Sequence, residues 1–319
     1  MRTRRLAVLL ALAALVVAAC AVPRERGDAP ASTVPIDRSG VEAVLERYDR
    51  VRETASELLD AKPLSTVENG AVLAIDTGSF EVAQRLARAA GRTGTSGDVV
   101  GLATPRFTRY PLWFVVEVRD RAAEVNRVQV FERATAVDPW FLVASPETLL
   151  TTTLPDLRER DGVALAVAPD SGTGMAASPQ QAADAYAAVL QDPEAPEAAT
   201  VEQDDFIAQM RETAERNAAL EGVTFTQSWR AQEVTHALRT ADGGALVFAT
   251  LERVDSYEVE EGVTVTWPDD SPQQALLESG VSSSGRLTYL HQVLVVVPGG
   301  SGKPRIIGQY GGVVEAEGP

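Results

Sequence analysis

The spacing of hydrophobic positions changes several times along this chain, and each change marks an element. An uninterrupted apolar run at residues 6–17 comes first and is too short to cross a bilayer comfortably. Residues 21–39 follow, with Pro23, Pro30 and Pro35 among charged and small polar residues and little to bury. Val41, Val44, Leu45, Tyr48, Val51, Ala55, Leu58 and Leu59 then recur at helical spacing behind a capping-box pattern, Ser39-Gly40-Val41-Glu42, and Pro63 ends that helix. Phe80, Ala83, Leu86, Ala87 and Ala90 predict a second, shorter helix over 80–90, with Gly91 past its end.

Beyond Gly91 the period falls to two. Strands are predicted at 99–106, 111–119, 126–134 and 140–145; in the second, Leu112, Phe114, Val116 and Val118 oppose Trp113, Val115 and Glu117. Residues 168–177, with Pro169, Gly172 and Gly174, read as a linker. The same programme then runs again. Ser178-Pro179-Gln180-Gln181 supplies an N-cap, a proline at the first helical position and a glutamine at the third. Thr200-Val201-Glu202-Gln203 opens another helix carrying Phe206, Ile207 and Met210 and stopped by Gly222, before strands at 223–232, 245–257, 286–297 and 304–314. The fold class is therefore α+β: two tandem modules, 40–167 and 178–319, each with N-terminal helices packed on a bent antiparallel sheet.

The apolar run is preceded by Arg2, Arg4 and Arg5 and followed by small residues, which makes it a secretory signal. Beyond Thr3-Arg4-Arg5 the twin-arginine pattern is missing, so Sec export is expected. Val17-Ala18-Ala19-Cys20 resembles a bacterial lipobox. That resemblance implies cleavage between Ala19 and Cys20 and a diacylglyceryl group on the Cys20 thiol, leaving 1–19 as leader and 20–39 as a disordered tether. Two acyl chains provide the stable anchoring that one cannot. The implied location is the extracytoplasmic face of the bacterial cell membrane. Cys20 is the only cysteine, so no disulfide forms within the chain.

Charge sharpens this reading. The formal charge of −16 becomes about −19 once the three leader arginines are gone, and such a surface repels nucleic acid and anionic headgroups. Attachment must then come from the acyl chains. The imbalance is uneven: residues 40–168 carry net −4 and residues 169–319 net −15, so a basic partner surface meets the second module first. Among the 29 basic residues only Lys62 and Lys303 are lysines, and alanine is abundant, a bias that points to an actinobacterial source.

The doubled order of helices and strands resembles tandem nuclear-transport-factor-2-like or cystatin-like modules, in which helices pack in the concave side of a bent sheet. Gly70-Ala71-Val72-Leu73-Ala74-Ile75-Asp76, Gly243-Gly244-Ala245-Leu246-Val247-Phe248 and Tyr289-Leu290-His291-Gln292-Val293 resemble actinobacterial lipoproteins grouped under a domain of unknown function. The resemblance implies location and fold and carries no activity.

The catalytic vocabulary is sparse. With His236 and His291 the only histidines and Cys20 consumed by lipid, neither a His-rich zinc site nor a Cys-His nucleophile pair can be assembled, and no metal or cofactor is expected. Gly299-Gly300-Ser301-Gly302-Lys303 lacks the first glycine of a phosphate loop and is followed by Pro304 and a strand, so it reads as a hairpin turn. His291 lies mid-strand on one face with Leu287, Tyr289 and Val293, and reads as a histidine hydrogen-bonded within the sheet rather than a general base oriented by Asp255. The long excursion after Tyr257 places Trp267 beside Asp269 and Asp270; with Tyr289 and His291 these are the candidate binding residues. The function expected is a non-catalytic, lipid-anchored lipoprotein that binds an envelope protein, a cell-wall component or a small apolar ligand. A transporter-associated solute-binding lipoprotein is the alternative, with a hydrolase or isomerase using His291 behind it.

Overall fold

In the computed structural model, which describes residues 32–89 and 97–318, the first helical pattern forms α1 (Arg38–Leu58). The leader, Cys20, the tether as far as residue 31, and Ala90 and Gly91 lie outside the described residues. The chain divides into two units, Met1–Ser32 and Thr33–Pro319, and the account below concerns the second. The α1 cap sits two residues before the position expected from the capping box. Asp37 accepts from the Gly40 amide at 2.8 Å and from the Ser39 hydroxyl at 3.0 Å, which leaves Ser39 inside the helix. A carboxylate is the better cap here, since it also faces the positive end of the helix dipole. Leu59, left-handed at φ 48°, ends the helix before Pro63 is reached. The buried stripe of α1 is Val41, Leu45, Tyr48, Arg52 and Ala55, so one arginine occupies a core position.

A 3-10 turn (Lys62–Thr66) leads to α2 (Gly70–Arg85), which begins ten residues before the expected helix. Its first turns hold glycine, aspartate and threonine, weak helix formers that obscure the pattern. Packing decides instead: Val72, Ile75, Asp76, Gly78 and Phe80 are buried.

The strands follow as β1 (Asp98–Ala103), β2 (Leu112–Asp120), β3 (Val125–Arg133), β4 (Phe141–Ala144) and β5 (Glu147–Leu149), then a small hairpin of β6 (Glu159–Arg160) and β7 (Val163–Ala164). The second half supplies α3 (Pro179–Gln191), a 3-10 turn (Pro196–Ala199), α4 (Asp205–Ala218), β8 (Val223–Ala231), β9 (His236–Arg239), β10 (Ala245–Val259), α5 (Pro272–Leu277), β11 (Ser284–Val297) and β12 (Arg305–Glu317). The Ser178–Gln181 capping box of α3 forms with both bonds in place. The cap of α4 is Asp204, not Thr200. Its carboxylate accepts from the Ile207 amide at 3.1 Å, the Tyr186 hydroxyl at 2.6 Å and the Ile306 amide at 2.9 Å, tying two helices to β12.

The α+β class with helices ahead of the strands is what the periodicity predicted. Ten strands form one antiparallel sheet, in the order β1-β2-β3-β5-β12-β11-β10-β8, with β4 on β3 and β9 on β10. Each half is a meander, and the two meet where Glu147 of β5 pairs with Gln309 of β12. Strand β2 is buried on both faces. Trp113 and Val115 share a core with Leu238, Leu246, Phe248 and Leu294 of the second half, while Phe114, Val116 and Val118 pack under α1. Residues 168–177 run along the β11–β12 turn, where Met175 pairs with Gly299 and the Gly174 carbonyl accepts from the Gly300 amide at 2.8 Å. No helix among the described residues is long and apolar enough to cross a membrane.

Candidate functional site

The register of three strands builds the site. Arg253 on β10 lies opposite Tyr289 of β11 on one side and Trp229 of β8 on the other; two residues along, Asp255 lies beside Gln227, and two further, Tyr257 beside Phe225. Because side chains alternate at period two, these seven share one face with His291. The guanidinium of Arg253 therefore stacks over the Tyr289 ring at 3.7 Å and lies 5.8 Å from the Trp229 ring. Gln227 is oriented by both its ends: it accepts from the Trp229 indole nitrogen at 2.7 Å and donates to Asp255 Oδ1 at 2.8 Å. Arg253 Nε stands 3.3 Å from the same oxygen. Asp255 is 1% exposed, and its other oxygen, Oδ2, has no hydrogen-bond partner.

Two further elements enclose this surface. Helix α4 lays Phe206 and Met210 over the inner end, and one turn on presents Thr213, Arg216 and Asn217 at helical spacing, with Leu220 just past its end. The excursion between β10 and β11 closes on itself through the Val265–Val281 bridge and carries α5, capped by Ser271. Trp267 packs edge-on to Tyr257 at 5.5 Å, and Gln273 donates to the Tyr289 hydroxyl at 3.1 Å. Between them lies a groove of about 360 Å³ lined by Asp255, Tyr257, Trp267, Tyr289, Gln273 and the α4 residues.

The structure thus brings Trp267 and Tyr289 together, with Trp267 half-buried. Asp269 and Asp270 are exposed and do not line the groove. His291 sits one step inward, 7% exposed, among the rings of Trp229 at 5.4 Å, Phe206 at 5.7 Å and Tyr289 at 6.2 Å. Its Nε2 has no hydrogen-bond partner. Burial first, and the Arg253 charge second, push its pKa down to about 3, so the ring is neutral. Asp255 turns to Gln227 and Arg253 instead. Burial raises its pKa against the pull of those two partners.

Arg253, Tyr257, Gln227, Gln273 and Asn217 were not singled out by sequence reasoning. A signal existed: Arg253 and Asp255 occupy the phase of β10 that also carries Leu251 and Tyr257, and charge at a core phase asks for a partner. His236 packs edge-on to Trp113 at 5.2 Å, with Nε2 2.8 Å from Glu132. A second buried polar cluster lies under α1, where Arg52 pairs with both Glu68, at 3.0 Å, and Asp76. The Tyr48 hydroxyl donates to Glu68 at 2.7 Å and the Tyr310 hydroxyl donates to Asp76. Among the described residues, no three of His, Cys, Asp and Glu converge in a way that could hold a metal ion.

A family model described as a domain of unknown function, DUF8094, matches residues 38–318. The chain is 26% identical over 306 residues to an uncharacterised lipoprotein of Streptomyces avermitilis, covering 92% of this chain and 88% of that one. No solved structure matches.

Proposed function

The chain belongs to the DUF8094 family of unknown function, and from that premise we propose that it is a non-catalytic binding lipoprotein, held on the outer face of the cell membrane by acylated Cys20. The two meanders are read as tandem modules, 40–167 and 178–319, of the nuclear-transport-factor-2-like kind. The groove beside β10 takes a small ligand that lays an apolar face against its aromatic residues. One observation carries this: a buried carboxylate oxygen without a partner, Asp255 Oδ2, at the wall of a groove lined by Tyr257, Trp267 and Tyr289. Ligand sites combine such apolar walls with a few convergent polar groups.

Two measurements test the halves of this reading. For the anchor, the intact mass of protein from its native membrane is expected to begin at Cys20 and carry a diacylglyceryl group, and Cys20→Ala is expected to abolish incorporation of labelled palmitate. An unacylated Cys20 behind an intact leader refutes the anchor. For the groove, 5-fluoroindole followed by fluorine NMR is expected to bind the wild type and to lose about tenfold in affinity with Trp267→Ala, the scale of removing one aromatic wall. Equal binding by the two proteins removes the groove as the site.

A further inference from the structure

We infer that the groove between α4 and the β10–β11 excursion is built for an uncharged sugar of one or two rings, an inference that rests on the groove being the binding site. The walls differ in chemistry. On one side stand Tyr257 and Trp267, set edge to face at 5.5 Å, with Tyr289 beside them. On the α4 side stand Thr213 and Asn217, and beside Tyr289 stands Gln273 of the excursion, side chains that donate and accept hydrogen bonds without charge. A pyranose ring has the matching anatomy: flat C–H faces that lie against aromatic rings, and a rim of hydroxyls that both donate and accept.

Charge narrows the class further. Asp255 Oδ2 calls for a donor, and three kinds of ligand group could supply or meet it. An ammonium would meet Arg216 on the groove lining, only loosely held by Glu212 at 3.8 Å, and would compete for Asp255 with Arg253, which already stands 3.3 Å from it. A carboxylate could reach Arg216 but brings no proton to Asp255 Oδ2 and is repelled by its charge. A hydroxyl satisfies the oxygen and leaves the Arg253–Asp255 pair balanced, which a buried ion pair demands. The neutral side chains then meet the remaining hydroxyls. The groove, at about 360 Å³, falls at the small end of the range for ligand pockets and suits a short saccharide.

The test is a matched set of disaccharides titrated by calorimetry into the full acylated protein, held in a detergent without a sugar headgroup. The neutral probe is N,N′-diacetylchitobiose, the amine probe chitobiose and the acidic probe a hyaluronan disaccharide. The neutral sugar is expected to bind at least about tenfold more tightly than either charged one. Its affinity is expected to fall about tenfold with Asp255→Asn, and likewise with Asn217→Ala and Trp267→Ala, which leave the buried Arg253–Asp255 pair in place. Tighter binding of chitobiose or of the acidic disaccharide overturns the inference in favour of that charge class. If no sugar binds, or binding ignores all three substitutions, the sugar inference fails. Loss of 5-fluoroindole binding in Trp267→Ala would still keep the groove itself as the site.

Discussion

Arg52→Met is expected to cost about 3–5 kcal/mol of folding stability, because it strands the acidic pair Glu68 and Asp76, with its negative charge, in a place from which water is excluded. Arg52 is fully buried, with Glu68 and Asp76 both on its guanidinium. Burial alone would lower the Arg52 pKa, but Asp76, Tyr48 and Glu68 outweigh it and the net shift is upward, so the cation is firmly retained. Glu68 moves the other way from an ordinary salt-bridged carboxylate. Burial, then the Asp76 charge, raise its pKa against the opposing pull of Arg52 and Tyr48. The triad is thus one cation facing a carboxylate and a carboxyl that tends to keep its proton. Urea unfolding measures the loss, and the triple variant Arg52→Met, Glu68→Gln, Asp76→Asn is expected to regain most of it, since no unpaired charge remains. A single substitution costing under about 1 kcal/mol would show that water reaches the triad.

His291 sets a second large effect, visible on acidification. Its folded pKa of about 3 lies below the ordinary 6.5, so in that interval the unfolded chain takes up a proton that the folded chain refuses. Stability from this group is complete above 6.5 and is lost as pH falls, by about 3 kcal/mol on reaching about pH 4. Glu68 contributes with the opposite sign. Its raised folded pKa means that the folded state binds the extra proton, so its share grows as pH falls towards 4.5, the ordinary value. The measurement must therefore be a difference. His291→Phe places a ring that cannot titrate among Phe206, Trp229 and Tyr289, and the variant should lack the His291 share of the acid slope. If wild type and variant lose stability in parallel from pH 6.5 to 4, the histidine takes up its proton as readily in the fold as in the unfolded chain.

The expectations that held are those in which one segment carries its own signal. The α3 capping box was legible because Ser178 and Gln181 bond to each other's backbone within four residues. The strands β2, β10 and β11 were legible because their β-branched and aromatic runs fit nothing else. The start of α2 was not legible, since Gly70, Asp76 and Gly78 are poor helix formers; Gly78 becomes a good choice only against β12, where a methyl group on it would collide with the Val313 carbonyl. The partition of the acidic residues was also hidden. Asp269 and Asp270 look conspicuous in the sequence and lie exposed, while Asp255, considered there only as an orienting partner for His291, lines the groove and keeps one oxygen without a partner.

By itself the sequence determined the α+β class, the concentration of negative charge in the second half and two of the groove residues, Trp267 and Tyr289. Each of these is local, a matter of period, composition or adjacent residues. Tertiary structure alone decided that ten strands join one sheet, that Trp113 shares a core with Phe248, and that Arg253, Asp255 and Gln227 stand side by side. The physical reason is register. Which residues of β8, β10 and β11 face one another follows from where each strand starts against its neighbour, and that offset is fixed by packing and turns far apart in the chain.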